Sequence, residues 1–400
     1  MERRPVFLAD LGIVSCLGRG KQAVLAGLMT PERDRVTRRD DLLVGGEATY
    51  VGEVQGELPA LPERLAGYES RNSALLVLAL DEIGEAIDQA LSRFGRHRIA
   101  VVLGTSTSGI SEGERDFSRA VQRGALPEGF DMRRQELGSP AEVAARYLGL
   151  TGPAFTVSTA CSSSAQALAD GRRLLRAGLA DAVLVGGVDS LCKLTLNGFR
   201  ALSALTRGFC NPFSRNRDGT MIGEGAAVFL MQREEAEIAL LGAGASCDAH
   251  SMTAPDPEAR GIQLAMKSAL SDAALSAPDI DFIELHGTGT EQNDAMESRA
   301  VLELFGPSVR CSSSKGRIGH TLGAAGAMGA AHCWLIASEL NEEGRLPPHI
   351  WDGEAQEGLL SGSLVGAKAK LEPGSRRRFL SNALAFGGNN VSLAIGRPVQ

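Results

Sequence analysis

The sequence has no surplus of positive charge: 41 Lys and Arg stand against 48 Asp and Glu, a net −7 with His neutral. Non-specific nucleic-acid or anionic-membrane binding needs a basic surface, so neither partner is expected. No window approaches 18 uncharged apolar residues, and no membrane span is expected either. The start, Met1-Glu2-Arg3-Arg4, is basic, but the apolar run from Val6 is broken by Asp10 and glycines. It reads as a strand rather than a secretion signal. There is no C-x-x-C pair, and the cysteines number seven. That fits neither a disulfide framework nor a zinc ribbon, and a reduced, cytoplasmic protein is expected. No Pro- or Ser-rich linker divides the chain, and aromatics make up only 4% of it.

What is present is the balance of a globular protein, 44% apolar and 22% charged. Four hundred residues can bury a large core divided among two or three domain-sized units. Glycine is abundant, 48 residues with no triplet period, which points to tight turns and close backbone approaches.

The chain also echoes itself. Residues 6–18 and 238–248 each read as an apolar strand entering a glycine turn. Residues 98–107 end a buried strand in Gly-Thr-Ser-Thr, and residues 281–290 end one in Gly-Thr-Gly-Thr. Residues 182–190 and 379–395 each read as a hairpin around a Gly-Gly pair. Three paired features in one order predict two similar α/β halves. We place the join near 231–237, giving 1–235 and 236–400. Helical periods run over 71–92, 163–177 and 260–275. Nearly continuous apolar strands alternating with helices predict sheets covered on both faces. The charged stretch 111–139 reads as an irregular excursion near a site mouth, and 341–378 as a surface loop with short strands.

The sharpest local feature is Thr156-Val-Ser-Thr-Ala-Cys161-Ser-Ser-Ser-Ala, a strand stopping just before a small-residue helix. A thiol at a helix N-terminus meets unpaired N–H groups and the positive end of the dipole, so its pKa should fall. The same N–H groups can hold an oxyanion. The plainer reading, a buried structural thiol, is applied to the other six cysteines. His286, in His-Gly-Thr-Gly-Thr, and His320, in Lys315-Gly-Arg-Ile-Gly-His320-Thr-Leu-Gly-Ala-Ala-Gly, both sit at strand ends among glycines. A nucleophile with two imidazoles is a catalytic constellation. A Cys/His/His zinc site competes, but nothing supplies a fourth ligand or helical ligand spacing.

These motifs resemble the β-ketoacyl-acyl-carrier-protein synthase I/II class of condensing enzymes, over essentially the whole chain. The resemblance also rests on Asn211-Pro-Phe-Ser-x-x-Arg217-Asp218-Gly219, on Gly223-Glu224-Gly225-Ala and on Phe386-Gly-Gly-Asn-Asn. It implies a thiolase-like αβαβα fold, a dimer of like or paralogous subunits, and thioester substrates on an acyl carrier protein. It makes Cys161 the acyl acceptor, with the N–H groups of Cys161 and Phe386 as oxyanion hole and Phe386 as gate. His286 and His320 would stabilise the enolate left when a malonyl thioester loses CO₂, and Lys315 would orient them. Thr107 and Phe199 fall at the acyl pocket, while Arg133 and Arg134 are the expected docking pair for an acidic carrier. No metal or redox cofactor is implied.

Departures from the family pattern stand out. Nine residues after His320, where an acidic residue is usual, stands Gly329, so Lys315 lacks its expected carboxylate partner. Ser214 replaces the usual Asp, and Thr107 replaces a bulky apolar residue, implying a deeper or more polar pocket. Asp294 and Glu297 match acidic positions read as structural. The leading reading is a decarboxylating ketosynthase. The others are a non-elongating, chain-length-determining partner subunit, a thiolase-type acyltransferase using free coenzyme A, and a cysteine hydrolase. The intact Cys161, His286 and His320 set argues against the partner subunit.

Overall fold

The computed structural model describes residues 5–398, leaving out Met1–Arg4 and residues 399–400. The main strands are, in chain order, β1 (Val6–Ser15), β2 (Ile99–Gly104), β3 (Ala154–Val157), β4 (Ala182–Asp189), β5 (Gly225–Gln232), β6 (Ala239–Cys247), β7 (Phe282–Glu284), β8 (Cys311–Ser312), β9 (Arg378–Leu384) and β10 (Asn389–Gly396). They follow one hydrogen-bonded path, β3-β2-β4-β5-β1-β6-β10-β9-β7-β8. Adding five to each label of the first half yields the second half, mirrored about the β1–β6 pair. The directions repeat as well. In the first half β3, β2 and β4 are parallel, and β5 and β1 each run antiparallel to the strand before. In the second half β8, β7 and β9 are parallel, and β10 and β6 alternate in the same way. The two half-sheets pair through Val6↔Leu240 and Phe7↔Ala239.

The helices are α1 (Lys21–Leu28), α2 (Arg71–Asp81), α3 (Gly84–Phe94), α4 (Ile110–Arg123), α5 (Ser139–Leu148), α6 (Ser163–Arg176), α7 (Lys193–Ala201), α8 (Arg260–Ala273), α9 (Glu291–Phe305), α10 (Lys315–Ile318) and α11 (Ala325–Ala337). Helices α2, α3 and α5 cover one face of the first half-sheet, and α8 with α9 covers the second. Between them lie α6 and α11, packed on each other and each reaching strands of both halves. The result is the thiolase-like αβαβα layering that the motifs implied. Helix α11 explains itself: every residue from Gly326 to Ala337 is buried. A helix with no polar face belongs inside. Small residues let it approach α6, since a Cβ on Gly326 would lie 2.6 Å from that of Ala165. Among the described residues no helix is long and apolar enough to cross a membrane.

Several local expectations need correction. Residues 182–189 are one uninterrupted strand, not a hairpin. The glycines are there for close approach: a Cβ on Gly187 would sit 2.5 Å from Ser164 Cβ, and one on Gly104 2.3 Å from Ser164 N. They let the start of α6 press onto the sheet. The helix expected over 71–92 breaks at residues 82–83 into α2 and α3. The first part of the stretch 111–139 is the helix α4, whose carboxylate Glu114 accepts from the N–H groups of Lys193 (2.9 Å) and Leu194 (2.6 Å) at the start of α7. Its apolar residues, such as Val121, face outward rather than into a core. The segment 341–378 is no mere surface loop. It buries Leu346 and His349, and His349 Nδ1 accepts from Ser313 N at 3.1 Å.

Candidate active site

Strand β3 leads to Ala160, whose φ of 50° lies in the left-handed region. A non-glycine there stores of order 1–3 kcal/mol of strain. The turn it makes hands Cys161 to the N-terminal end of α6. From the other half, the α10–α11 connection brings His320 Nε2 to 3.0 Å from Cys161 Sγ. The Phe386 N–H, from the β9–β10 turn, favours the charged form of that sulfur.

The expected fall in the Cys161 pKa is not what the site shows. Burial pushes the thiol up to about 12, Asp189 adds to the rise, and Lys315 and the N–H donors only oppose it. Desolvation outweighs the helix terminus because the residue is 6% exposed. Burial raises Cys16 and Cys210 to the same level. What singles out Cys161 is the imidazole beside it. His320 is held well below its ordinary pKa by burial and by the Lys315 cation. At neutral pH it is a free base within reach of the thiol proton.

His286 follows β7, its ring 5.2 Å from that of His320 and at 89° to it. Burial, Lys315 and His320 all lower its pKa well below the usual value. Lys315 Nζ donates to the His286 carbonyl oxygen and lies 3.5 Å from His286 Nδ1. An ammonium facing Nδ1 keeps that nitrogen unprotonated and leaves the hydrogen on Nε2. Glu297 accepts from the N–H groups of His286 and Gly287, each at 2.8 Å. Burial raises its pKa to about 7. Asp294 accepts from the N–H groups of Phe213 at 2.7 Å and Gly289 at 3.2 Å. Both acids accept from backbone N–H groups at the turn rather than forming a close ion pair.

Phe386 stacks on Phe199 of α7 with ring centroids 5.5 Å apart, and Phe199 meets His320 edge-on at 6.2 Å. Gly387 and Gly388 follow at φ 84° and 78°, a turn that side chains resist. Cys161, Phe199, His286, His320 and Phe386 line one cleft of about 440 Å³.

Thr107, Arg133 and Arg134 do not line that cleft. Thr107 is fully buried, and its hydroxyl donates to Asp189 Oδ1 at 2.6 Å. Arg133 is paired with Asp131, and Arg134 with Asp116 at 3.3 Å and with the Gly129 carbonyl. A pair already neutralised on its own surface is a poor anchor for an acidic partner. Ser214, where an acid is usual, donates to Asp352 Oδ1 at 2.7 Å, so the carboxylate comes from elsewhere in the chain.

Asp189 was missed by sequence reasoning. Its Oδ1 accepts from Thr105 Oγ1 (2.8 Å), Ser106 N (2.8 Å) and both N (2.7 Å) and Oγ1 (2.6 Å) of Thr107. Its Oδ2 accepts from Ala324 N at 2.9 Å, at the start of α11. It ties the first half to the helix that comes after His320. Its only signal was an acid ending an otherwise apolar strand.

Comparison with known proteins agrees with this geometry. Residues 32–237 match the family described as Beta-ketoacyl synthase, N-terminal domain, and residues 237–350 match Beta-ketoacyl synthase, C-terminal domain. Nodulation protein E of Rhizobium meliloti is 32% identical over 364 residues, 86% of this chain and 88% of that protein. The 3-oxoacyl-[acyl-carrier-protein] synthase 2 of Coxiella burnetii is 29% identical over 430 residues, 99% of each chain. Among solved structures, the ketosynthase ApeO in complex with its chain length factor ApeC, from Xenorhabdus doucetiae, superimposes with a TM-score of 0.93 at 41% identity, covering 98% of both chains. A buried thiol against an imidazole, a second imidazole behind it and two matched domain families have one reading: the chain belongs to the beta-ketoacyl synthase family.

Proposed function

We propose that the protein condenses an acyl group held on Cys161 with malonyl-acyl carrier protein, giving 3-oxoacyl-acyl carrier protein and CO₂, in fatty-acid or specialised polyene or polyketide synthesis. The observation that carries this is the 3.0 Å approach of His320 Nε2 to Cys161 Sγ, with His286 facing the same cleft. On this reading residues 1–235 supply the nucleophile and 236–400 both imidazoles. The phosphopantetheine arm arrives with the carrier as substrate, and no resident cofactor takes part.

In the first half-reaction Cys161 Sγ attacks the acyl thioester carbonyl as its proton moves to His320 Nε2. The N–H groups of Cys161 and Phe386 hold the oxyanion. The carrier thiolate leaves and takes the proton back, which restores neutral His320. Malonyl thioester then enters with its carbonyl oxygen against the imidazoles. Lys315 keeps the His286 hydrogen on Nε2, which makes His286 the donor to that oxygen, while His320 lines the same cleft. Loss of CO₂ places charge on that oxygen, where such a donor is worth most. The enolate carbon attacks the acyl-Cys161 carbonyl, and the Cys161 thiolate leaves and takes a proton from solvent. Phe386 and Phe199, stacked across the entrance to the sulfur, exclude water from the acyl-enzyme.

The name of the Coxiella burnetii relative supports an acyl carrier protein as the substrate's vehicle. The Xenorhabdus doucetiae complex supports a paralogous ketosynthase-like partner, with a second copy as the alternative. The intact thiol and imidazoles favour the elongating role over that of a chain-length-determining subunit. Intact-mass measurement after exposure to a panel of acyl-carrier thioesters tests the assignment. The expected result is one acyl addition, mapped to Cys161. No acyl addition, or one mapped elsewhere, refutes it.

A further inference from the structure

Behind His286 lies a buried acid that takes no part in the condensation steps. Glu284 ends β7, two residues before His286, and is 2% exposed. Its Oε1 accepts from Ser314 N at 3.1 Å and lies 3.7 Å from His332 Nδ1. Its Oε2 is buried with no hydrogen-bond partner among the described residues. A carboxylate so placed is costly unless opposite charge faces it. Of the residues that follow the one it holds, Lys315 comes directly after and Arg317 three residues on, and both are buried cations of α10.

The facing helix leaves it room. At Gly329 of α11 a Cβ would lie 3.5 Å from Glu284 Cγ and 2.6 Å from Ser381 Oγ. A side chain growing from 329 and the side chain of Glu284 would enter the same space from opposite layers. Burial lowers the Lys315 pKa; of the groups that oppose this, Glu284 is foremost, ahead of Glu297, Cys161 and Cys210. His286 and His320 also face Lys315. Around Glu284 itself stand Arg317, His349, Cys311, Cys333 and His332.

We propose that Glu284 is a positioning residue: delivered from β7 into the space beside Gly329, its carboxylate keeps Lys315 charged, so that Lys315 can hold His286 in its donor tautomer. This rests on the ketosynthase reading of the site. It accounts for a buried lysine whose expected carboxylate, on α11, is missing.

The test is CO₂ release from labelled malonyl-carrier as a function of pH, with acylation of Cys161 measured alongside. Glu284→Gln keeps the shape and the acceptor for Ser314 N but removes the charge. Lys315 then loses its proton at lower pH, and the alkaline limb of decarboxylation should move down by about one pH unit. A merely structural role would lower the rate at every pH without moving the limb. Glu284→Ala with Gly329→Glu returns a carboxylate from α11 and should restore the limb. Glu284→Ala with Gly329→Gln, equal in bulk, should not. This second pair decides the matter if Glu284→Gln fails to fold. An unmoved limb in Glu284→Gln, or equal profiles for the two double variants, overturns the proposal. A wild-type protein that neither gains an acyl group nor releases CO₂ overturns the ketosynthase reading, and this proposal with it.

Discussion

The two halves of the molecule carry the same strands in the same order, yet they contribute opposite chemistry. After β3 the first half makes a short turn and presents Cys161, a neutral thiol among Ser and Ala side chains, at the head of α6. After β8, the matching strand, the second half inserts α10 and presents Lys315 and His320 ahead of α11. The strand pairs β4–β5 and β9–β10 also correspond. The first pair is joined by the long excursion 190–224 that carries Phe199, the second by a tight turn that carries Phe386. The sheet sets where loops emerge, and the loops alone decide what they carry. Neither half forms the site by itself, because sulfur and imidazole meet only across the α6–α11 layer.

The largest break in this comparison comes from the nucleophile. Cys161→Ala removes the acyl acceptor, costs little volume and leaves both imidazoles. It should abolish acyl-enzyme formation and condensation while sparing CO₂ release, followed by mass and by label. Any 3-oxoacyl product from that variant would refute the covalent route.

The imidazoles come next, and the structure separates them. His286→Ala removes one donor to the enolate and should slow decarboxylation by about 10²–10³ while Cys161 still takes up an acyl group. His320→Ala also removes the base from a thiol that burial holds at about 12, so both half-reactions should slow. Iodoacetamide labelling gives a second readout: His320→Ala should lose labelling at Cys161 while the exposed Cys247 labels as before. Equal acylation rates in the two variants would show that His320 is not the base.

The knot in the first half can be probed through stability. Asp189→Ala orphans five buried donors and should lower unfolding free energy by about 3 kcal/mol or more in urea titration. Thr107→Val removes one hydroxyl of that knot and should cost about 1 kcal/mol. Because Thr107 faces Asp189 and not the cleft, the acyl-chain profile should stay as in the wild type; a changed profile would return Thr107 to the pocket.

The smallest effect is expected on the surface. Arg133→Glu breaks an exposed pair with Asp131, worth about 0–1 kcal/mol. KM for carrier-bound substrate should stay within about twofold. A rise for the carrier substrate alone, with a small pantetheine mimic unaffected, would restore Arg133 as a docking residue.

Much of the scaffold was legible in the chain itself. The apolar runs of β1 and β2 announce buried strands because a sheet covered on both faces cannot alternate. The doubled order of strand, glycine turn and helix announces two halves because topology repeats with sequence pattern. Cys161, His286 and His320 stand out because each lies among glycines and other small residues, the kind of opening a substrate needs, although α10 separates His320 from the strand before it. Elements that use no periodic core face escaped notice. Helix α4 is anchored by polar contacts and turns its apolar side outward rather than into a core. The Gly186-Gly187 pair has the composition of a turn, yet its purpose is the close approach of α6.

What sequence by itself determined is the set of reactive groups and the repeated scaffold on which they are strung. Both are local: a residue type, its neighbours and a period. Tertiary structure alone decided the electrostatics. Whether Cys161 is a thiol or a thiolate depends on burial that no neighbour in sequence reports, and burial outweighs the helix terminus. Whether Thr107 lines a pocket or ties a knot depends on Asp189, 82 residues away. The carboxylate nearest in effect to Lys315 comes from a strand 31 residues earlier, because charges act through space and folding brings β7, α10 and α11 to one point.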